Sequence, residues 1–266
     1  MSFFSAVSVL ERDPDLGDDL SEEEFELARQ QAVARVVRYA KGPWTVRRRD
    51  FKGSGALGLL ITEGMLVRRV TVGDRTCAEL LGPGDITQPW QRLTTDASVG
   101  TEVNWQVAQP LAAAVLDRGF MTRVARWPEI PAAVSRRLML RVHWLSFHLA
   151  VCHMRRVDHR VLLVLWHFAD RWGRVTPDGV QIDLPLTHNL LAAVVGARRP
   201  SVTAAMRSLS DAGRVQSRPR SRWLLKGEAP VELRQMHQSA ARYNRRVPLE
   251  LAPEAPGLAS GSGRDG

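Results

Sequence analysis

The sequence predicts an α+β protein with an antiparallel β-sheet in its N-terminal half and a compact helical unit in its C-terminal half. Short apolar runs separated by glycine, proline and aspartate over residues 42–116 are typical of an antiparallel sandwich or barrel. Apolar residues that alternate between spacings of four and three over residues 130–155 predict one long helix. Residues 186–225 predict two short helices followed by a basic hairpin.

The stretch from 186 to 225 carries clear helix boundaries. Thr187 is a suitable N-cap for a first helix that ends at Gly196, because glycine adopts the left-handed conformation without steric cost. Pro200 fits the first turn of a second helix, which ends before Gly213. Two helices joined by a tight turn and followed by an arginine-bearing hairpin are typical of proteins that place the second helix in the DNA major groove.

Positive charge is concentrated around these two helices. The chain has a net charge of +9, and residues 155–226 contain thirteen Lys and Arg against five Asp. Arg198 and Arg199 lie at the start of the second helix, where the helix dipole disfavours positive charge unless an anion approaches. This segregation favours docking on phosphates, and the alternative is a helical hairpin that only packs. The hairpin adds Arg218, Arg220 and Arg222.

The predicted long helix carries an apolar seam with the spacing of a coiled coil. We predict that this seam is a homodimer interface, because a helix-turn-helix generally works on paired half-sites. The alternative is a helix that packs on its own domain, since the seam is short for a free coiled coil. The seam residues are Leu138, Val142, Leu145, Leu149 and Cys152.

The composition and these patterns divide the chain into five segments. The first is an acidic N-terminal helical extension, in which Ser21 and Glu24 form a capping-box pattern. In chain order, the predicted segments are the extension (1–41), the sheet domain (42–122), the dimerisation helix (123–155), the helix-turn-helix domain (156–227) and a C-terminal helix with a disordered tail (228–266).

Other functions and locations are disfavoured by what the sequence lacks. Cys77 and Cys152 are too few and too far apart for a disulfide framework or a metal knuckle, which fits a reducing cytosol. The sequence has no signal-peptide pattern and no apolar run near the roughly twenty residues of a membrane span, so we expect a cytoplasmic protein with no membrane partner. It also has no nucleophile elbow, phosphate loop or paired carboxylates, so we expect no enzymatic activity and no metal site.

The order of these parts resembles the Crp/Fnr superfamily of bacterial transcription regulators. The stretches VTPDGVQIDLPLT and LAAVVGARRPSV are similar to that family's strand hairpin, first helix and recognition-helix start. LLITEGMLVRRV and LLGPGDI are similar to a strand and the glycine-aspartate turn of its sensor domain. The resemblance implies an N-terminal antiparallel, jelly-roll-like β-roll sensor, a long dimerisation helix and a C-terminal winged helix-turn-helix.

The resemblance also implies roles for individual residues. Arg199 falls on the family's base-reading arginine, which typically engages guanine. Pro200 stands where the family often has glutamate and Ala204 where it often has arginine, so the operator is expected to differ from the family consensus. The expected base-reading residues are Arg198, Arg199, Ser201 and Thr203. The expected phosphate contacts are Thr187, His188, Arg207, Arg218, Arg220 and Arg222.

The predicted sensor departs from the family's cyclic-nucleotide pocket, which holds the ribose with a glutamate and the phosphate with an arginine. No glutamate stands at the ribose position after Gly84-Asp85, and Gly100-Thr101 stands where the arginine is expected. A buried cyclic phosphate without an arginine would be poorly held. We therefore expect no cAMP binding. No cofactor is evident, and the β-roll either takes an unknown effector or is a structural relic.

Together these features predict a DNA-binding transcription regulator that binds a palindromic operator as a homodimer. Its expected partners are double-stranded DNA, a second copy of the chain and RNA polymerase. The alternative is a protein-interaction module that does not bind DNA. In that case the degenerate β-roll binds a partner protein, and the basic domain docks on an acidic surface.

Overall fold

The computed structural model describes residues 5–45, 57–90, 101–219 and 222–233. Its N-terminal part contains β1 (Ala6–Ser8), α1 (Val9–Arg12), α2 (Glu22–Gln31), β2 (Val33–Tyr39), β3 (Gly42–Trp44), β4 (Gly58–Val72), β5 (Arg75–Leu81), β6 (Ile86–Thr87), β7 (Thr101–Leu116) and α3 (Arg118–Arg123). Its C-terminal part contains α4 (Glu129–Cys152), α5 (Val157–Trp172), β8 (Arg174–Thr176), β9 (Gly179–Ile182), α6 (His188–Val195), α7 (Arg199–Asp211), β10 (Val215–Arg218) and β11 (Arg222–Leu225).

The predicted α+β order of sheet, long helix and helix-turn-helix with a hairpin is confirmed. Strands β1 to β7 form one antiparallel sheet in the order β1-β2-β7-β4-β5, with β3 beside β7 and β6 beside β4. The hairpin strands β10 and β11 form a second sheet with β9 and β8. The described residues up to 228 belong to one compact unit. Of the predicted C-terminal helix and tail, residues 234–266 lie outside the described residues.

The first sheet begins earlier than the predicted limit at residue 42. Strand β2 pairs with β7 from Arg35 opposite Val115 to Tyr39 opposite Leu111. Residues 1–41 therefore contribute strands to the sheet, and the prediction of a separate helical extension is corrected. The acidic composition of this segment concealed its alternating run VARVV, although its capping box at the start of α2 is confirmed.

The long strands β4 and β7 separate two apolar cores. Leu59 and Ile61 of β4 lie in the interior of the roll with Val115 of β7. Their chain neighbours Leu60 and Ala114 lie on the other face, in a core shared with helices α1 to α4. Both faces of this part of the sheet are therefore buried, one by the roll itself and the other by helices.

A bulge in β4 allows the strand to bend while its inward-facing residues stay in the interior core of the roll. The register with β7 shifts at three steps between Ile61 and Leu66. Without the shifts these two residues would face opposite sides, since they are an odd number of positions apart, but both lie in the interior core. Gly64 allows the bend, because its φ is +84° and a Cβ there would collide with the carbonyl group of Pro110.

Helix α4 is attached to the sheet by buried ion pairs along one face. Arg141 donates two hydrogen bonds to the Glu79 carboxylate of β5, at 2.7 and 2.8 Å. One turn earlier, Arg137 donates to Asp13 and to the carbonyl of Gly84, both at 3.1 Å. Burial alone would raise the pKa of Glu79, but the hydrogen bonds and charge of Arg141 hold it below its usual value.

The same face of α4 carries His148, which packs against α5. The His148 ring lies 5.3 Å from that of His167 and 6.5 Å from that of Phe168, measured between centroids. Within the described residues, the buried Nε2 atom of His148 has no hydrogen-bond partner. Burial lowers the pKa of His148 from 6.5 to about 4. The Glu79 charge opposes this shift and the Arg171 charge adds to it.

The end of α5 is attached directly to the turn between β5 and β6. Arg171 lies 2.5 Å from Asp85, whose carboxylate also accepts the backbone N–H of Gly82 at 2.8 Å. The indole N–H of Trp172 donates to the carbonyl of Pro83 at 3.2 Å. Helix α5 thus joins the sheet to the helical unit that follows. Over the described parts of the chain, none of the helices is long and apolar enough to cross a membrane.

The bulge in β4 predicts an unequal response of two glycines with positive φ. Gly64→Ala should lower the free energy of unfolding by about 3 kcal/mol or more, because it adds a collision with Pro110 to the backbone strain. Gly73→Ala should cost only about 1 kcal/mol, because Gly73 has a φ of +58° and no atom within 4 Å of its Cβ position. Urea unfolding of both variants measures the difference, and equal losses would contradict this role of Gly64.

The buried imidazole of His148 predicts a loss of stability in mild acid. The unfolded chain takes up this proton near pH 6.5 and the folded chain only near pH 4, so stability falls as the pH decreases through this window. The loss is on the order of 3 kcal/mol by pH 4. His148→Phe should remove this part of the pH dependence of urea unfolding, whereas His143→Phe at an exposed position should keep it. Identical profiles for both variants would contradict the prediction.

Candidate nucleic-acid interface

Helix α6 begins and ends as the sequence predicts. The hydroxyl of Thr187 accepts the backbone N–H of Leu190 at 3.1 Å and so caps the helix. Gly196 ends it in the left-handed conformation, with a φ of 62°. The expected contact of Thr187 with a phosphate stays a prediction, because the capping bond leaves its hydroxyl proton available.

Helix α7 begins without a side-chain cap. Its N-cap residue is Arg198, whose side chain has no acceptor, and Pro200 lies in its first turn. The N–H groups of Arg199 and Ser201 at this end therefore receive no capping side chain. Free N–H groups and the positive end of the helix dipole make such a terminus suited to an anion.

The outer face of α7 is cationic. Val202, Met206 and Leu209 are buried on its inner face, which leaves Arg199 and Arg207 exposed as predicted. Within the described residues, no carboxylate forms an ion pair with Arg198, Arg199 or Arg207. The part of the chain that the structure describes therefore does not neutralise the charges of this face.

An open groove runs along this outer face. It is lined by Arg199, Pro200, Thr203, Ala204 and Arg207. Two of these residues, Pro200 and Ala204, were known from the sequence only as departures from the family pattern. Their place in the groove follows from helical spacing, because each directly follows a residue of the series Arg199, Thr203 and Arg207.

The structure restricts the predicted role of Thr203. Its hydroxyl oxygen lies 3.1 Å from the carbonyl oxygen of Arg199 and 3.0 Å from Nδ1 of His188. A hydroxyl carries a single proton, which the carbonyl of Arg199 or Nδ1 of His188 accepts according to the tautomer of His188. Thr203 therefore has no proton left to donate to a base. His188 in turn links α6 to α7, and Ser201 is exposed beside them.

The hairpin of β10 and β11 presents its arginines next to carboxylates. Arg218 pairs with Asp178 at 3.8 Å, and Arg222 pairs with Asp183 at 3.3 Å. All four side chains are more than 40% exposed, so these pairs are weak and a phosphate can compete for the arginines. Arg220, the third predicted phosphate contact of the hairpin, lies outside the described residues.

The predicted dimer seam on α4 is apolar and exposed at its centre. Val142, Leu145 and Leu149 are 55%, 39% and 64% exposed. The two ends of the seam contact their own chain instead, since Leu138 packs against the helical core and Sγ of Cys152 lies 3.8 Å from the carbonyl of Val194. The seam face of α4, which lies next to the face that carries Arg141, is thus left uncovered at its centre by the rest of the described chain.

Comparison with known proteins identifies the C-terminal unit. Residues 159–229 match the Crp-like helix-turn-helix domain. The regulatory protein CysR from Synechococcus elongatus is 28% identical over 95 residues, which are 34% of this chain and 46% of that protein. The chain therefore matches about half the length of this curated relative.

Solved structures share the fold across most of the chain. A mutant of CooA from Carboxydothermus hydrogenoformans superposes with a TM-score of 0.55 and 18% identity, over 78% of this chain and 88% of that one. FixK2 from Bradyrhizobium japonicum gives a TM-score of 0.55 and 12% identity, over 77% and 96%. A cyclic nucleotide-binding domain containing protein from Listeria monocytogenes gives 0.56 and 12%, over 80% and 97%. At these identities the likeness concerns the fold alone.

Proposed function

We propose that this chain, a member of the Crp/Fnr superfamily, is a non-enzymatic transcription regulator that binds duplex DNA through α7. The observation that carries the proposal is the outer face of this helix. It combines an uncapped N-terminus with Arg198, Arg199 and Arg207, which no carboxylate of the described chain neutralises. A DNA backbone supplies the missing anions, and the release of its counterions favours binding.

The assignment of contacts follows the position of each side chain. Arg199 lies at the first turn of α7, the part of a recognition helix that meets base edges, and its guanidinium fits the acceptors of guanine. Arg198 and Ser201 flank it there and are also assigned to bases. The residues assigned to phosphates are Thr187, His188, Arg207, Arg218, Arg220 and Arg222.

The regulator acts as a homodimer on a palindromic operator in this proposal. The exposed residues Val142, Leu145 and Leu149 support it, because an apolar strip on a helix is covered when two copies pair along it. A two-fold dimer presents two copies of α7 to two related half-sites. At a promoter in the cytoplasm, RNA polymerase is the expected further partner.

The β-roll does not take cAMP in this proposal. Its interior is packed with apolar side chains, among them Trp44 and Trp105, whose ring centroids are 6.1 Å apart. The turn residue Asp85 is also engaged, since its carboxylate binds Arg171 and the backbone of Gly82. Neither feature suits a cyclic phosphate, which needs a cationic partner when it is buried.

Selection from a random-sequence duplex library, followed by binding titrations over a range of salt concentrations, tests the DNA proposal. Arg199→Ala should weaken operator binding about 10- to 100-fold and relax discrimination at one base pair. Arg207→Ala should weaken binding to all duplexes about equally and lower the salt slope by about one. Added cAMP should leave the affinity unchanged, and a tighter complex would contradict that part of the proposal.

A matched control comes from α4. Arg136 lies in the first half of α4, and its exposed side chain pairs with Asp19. Arg136→Ala removes one positive charge, as Arg199→Ala does, and should preserve both the affinity and the specificity of DNA binding. If Arg136→Ala weakens binding as much as Arg199→Ala, net charge alone explains the effect. If the unaltered protein shows no duplex preference at all, the protein-interaction module is favoured instead.

The dimer proposal predicts different effects of the same substitution at two leucines of α4. Leu145 and Leu140 are both 39% exposed, but only Leu145 lies in the seam. Leu145→Glu should give monomers in size-exclusion chromatography with light scattering, because it places a charge in an apolar interface. Leu140→Glu, roughly 140° around the helix, should remain dimeric. A dimer that survives Leu145→Glu would exclude this seam as the interface.

A further inference from the structure

We infer that Pro200, Thr203 and Ala204 form an apolar strip on α7 that reads the C5-methyl group of thymine. The strip lies in the groove between Arg199 and Arg207. The inference rests on the proposed function, because it concerns the bases that the recognition helix meets in the major groove.

No side chain of the strip can donate a hydrogen bond to a base. Pro200 and Ala204 have no polar side-chain atom, and Pro200 has no backbone N–H. The single hydroxyl proton of Thr203 is used by the carbonyl of Arg199 or by Nδ1 of His188, and both partners lie within 3.1 Å of the hydroxyl oxygen. The methyl groups of Thr203 and Ala204 are what remains for contact with DNA.

An apolar contact distinguishes one of the four bases. In the major groove, adenine presents a donor and an acceptor, guanine two acceptors and cytosine a donor, whereas thymine presents a methyl group beside its acceptor. A carboxylate at residue 200 would accept from cytosine, and an arginine at residue 204 would donate to guanine. Proline and alanine at these positions remove both options and favour thymine.

The spacing along the helix limits where this thymine lies. Thr203 is one turn after Arg199, which is about 6 Å along the axis. Base pairs are stacked about 3.4 Å apart, so one turn of helix covers about two of them. The half-site should therefore contain a thymine within about two base pairs of the guanine that Arg199 reads.

Replacement of each operator thymine in turn by uracil tests the inference, because uracil lacks only the methyl group. At one or two half-site positions next to the guanine, uracil should weaken binding roughly four-fold, the worth of one buried methyl group. Uracil outside the half-sites should have no effect. A duplex with 5-methylcytosine in place of this thymine should bind better than a duplex with cytosine there. This comparison separates recognition of the methyl group from recognition of the thymine oxygen.

The ratio of thymine to uracil affinities, measured for protein variants, assigns the contact to the strip. In Ala204→Gly this ratio should fall toward one, and any loss of helix stability cancels because both duplexes meet the same variant. Ser208→Gly also introduces a glycine at an exposed position of α7, at a smaller cost in helix propensity and outside the groove, and should keep the ratio.

Two results would overturn the inference. One is a ratio near one at every half-site thymine for the unaltered protein, and the other is a ratio that Ala204→Gly leaves unchanged. In either case continued discrimination between operator and random duplex keeps the proposed function intact. If no duplex is preferred at all, the proposed function fails, and the inference fails with it.

Discussion

The pairing of Arg141 with Glu79 fixes the rotation of α4 about its own axis, and the positions of the other functional surfaces depend on that rotation. The guanidinium makes two parallel hydrogen bonds to a carboxylate in which both side chains are more than 80% buried. Such a geometry permits one orientation only, and breaking it would leave a buried charge. The apolar seam lies beside the face that carries Arg141, because Val142 and Leu149 are about 100° and 80° further around the helix. With the Arg141 face held against the sheet, the seam beside it stays exposed.

Helices α4 and α5 connect the sheet to the helix-turn-helix. His148 of α4 packs against His167 and Phe168 of α5, while Arg171 and Trp172 at the end of α5 hold the turn after β5. These contacts join the sheet, the seam and the outer face of α7 within one compact unit. In a dimer, the separation of the two recognition helices, and hence of the half-sites, would follow from this attachment.

On α7, structural and recognition roles are divided between atoms of the same residues. The hydroxyl of Thr203 ties α7 to α6 through His188, so its polar end serves the fold and its methyl group remains at the surface. In Arg199 the backbone serves the fold, because its carbonyl is a hydrogen-bond partner of the Thr203 hydroxyl. Its guanidinium pairs with no carboxylate of the described chain and is left for recognition. Specificity in the groove thus depends on which atoms the fold has already engaged.

The sequence by itself determined the order of the elements and the ends of the helices, because caps and periodicity act within one or two turns. Thr187 and Gly196 bound α6 as their chemistry requires. The tertiary structure decided the pairings between distant residues, such as Arg141 with Glu79, which are 62 positions apart. It also placed β2 in the sheet despite its acidic surroundings and brought the hydroxyl of Thr203 within hydrogen-bond distance of His188. No local pattern specifies such contacts, since they depend on how bulges, crossings and packed faces bring separate segments together.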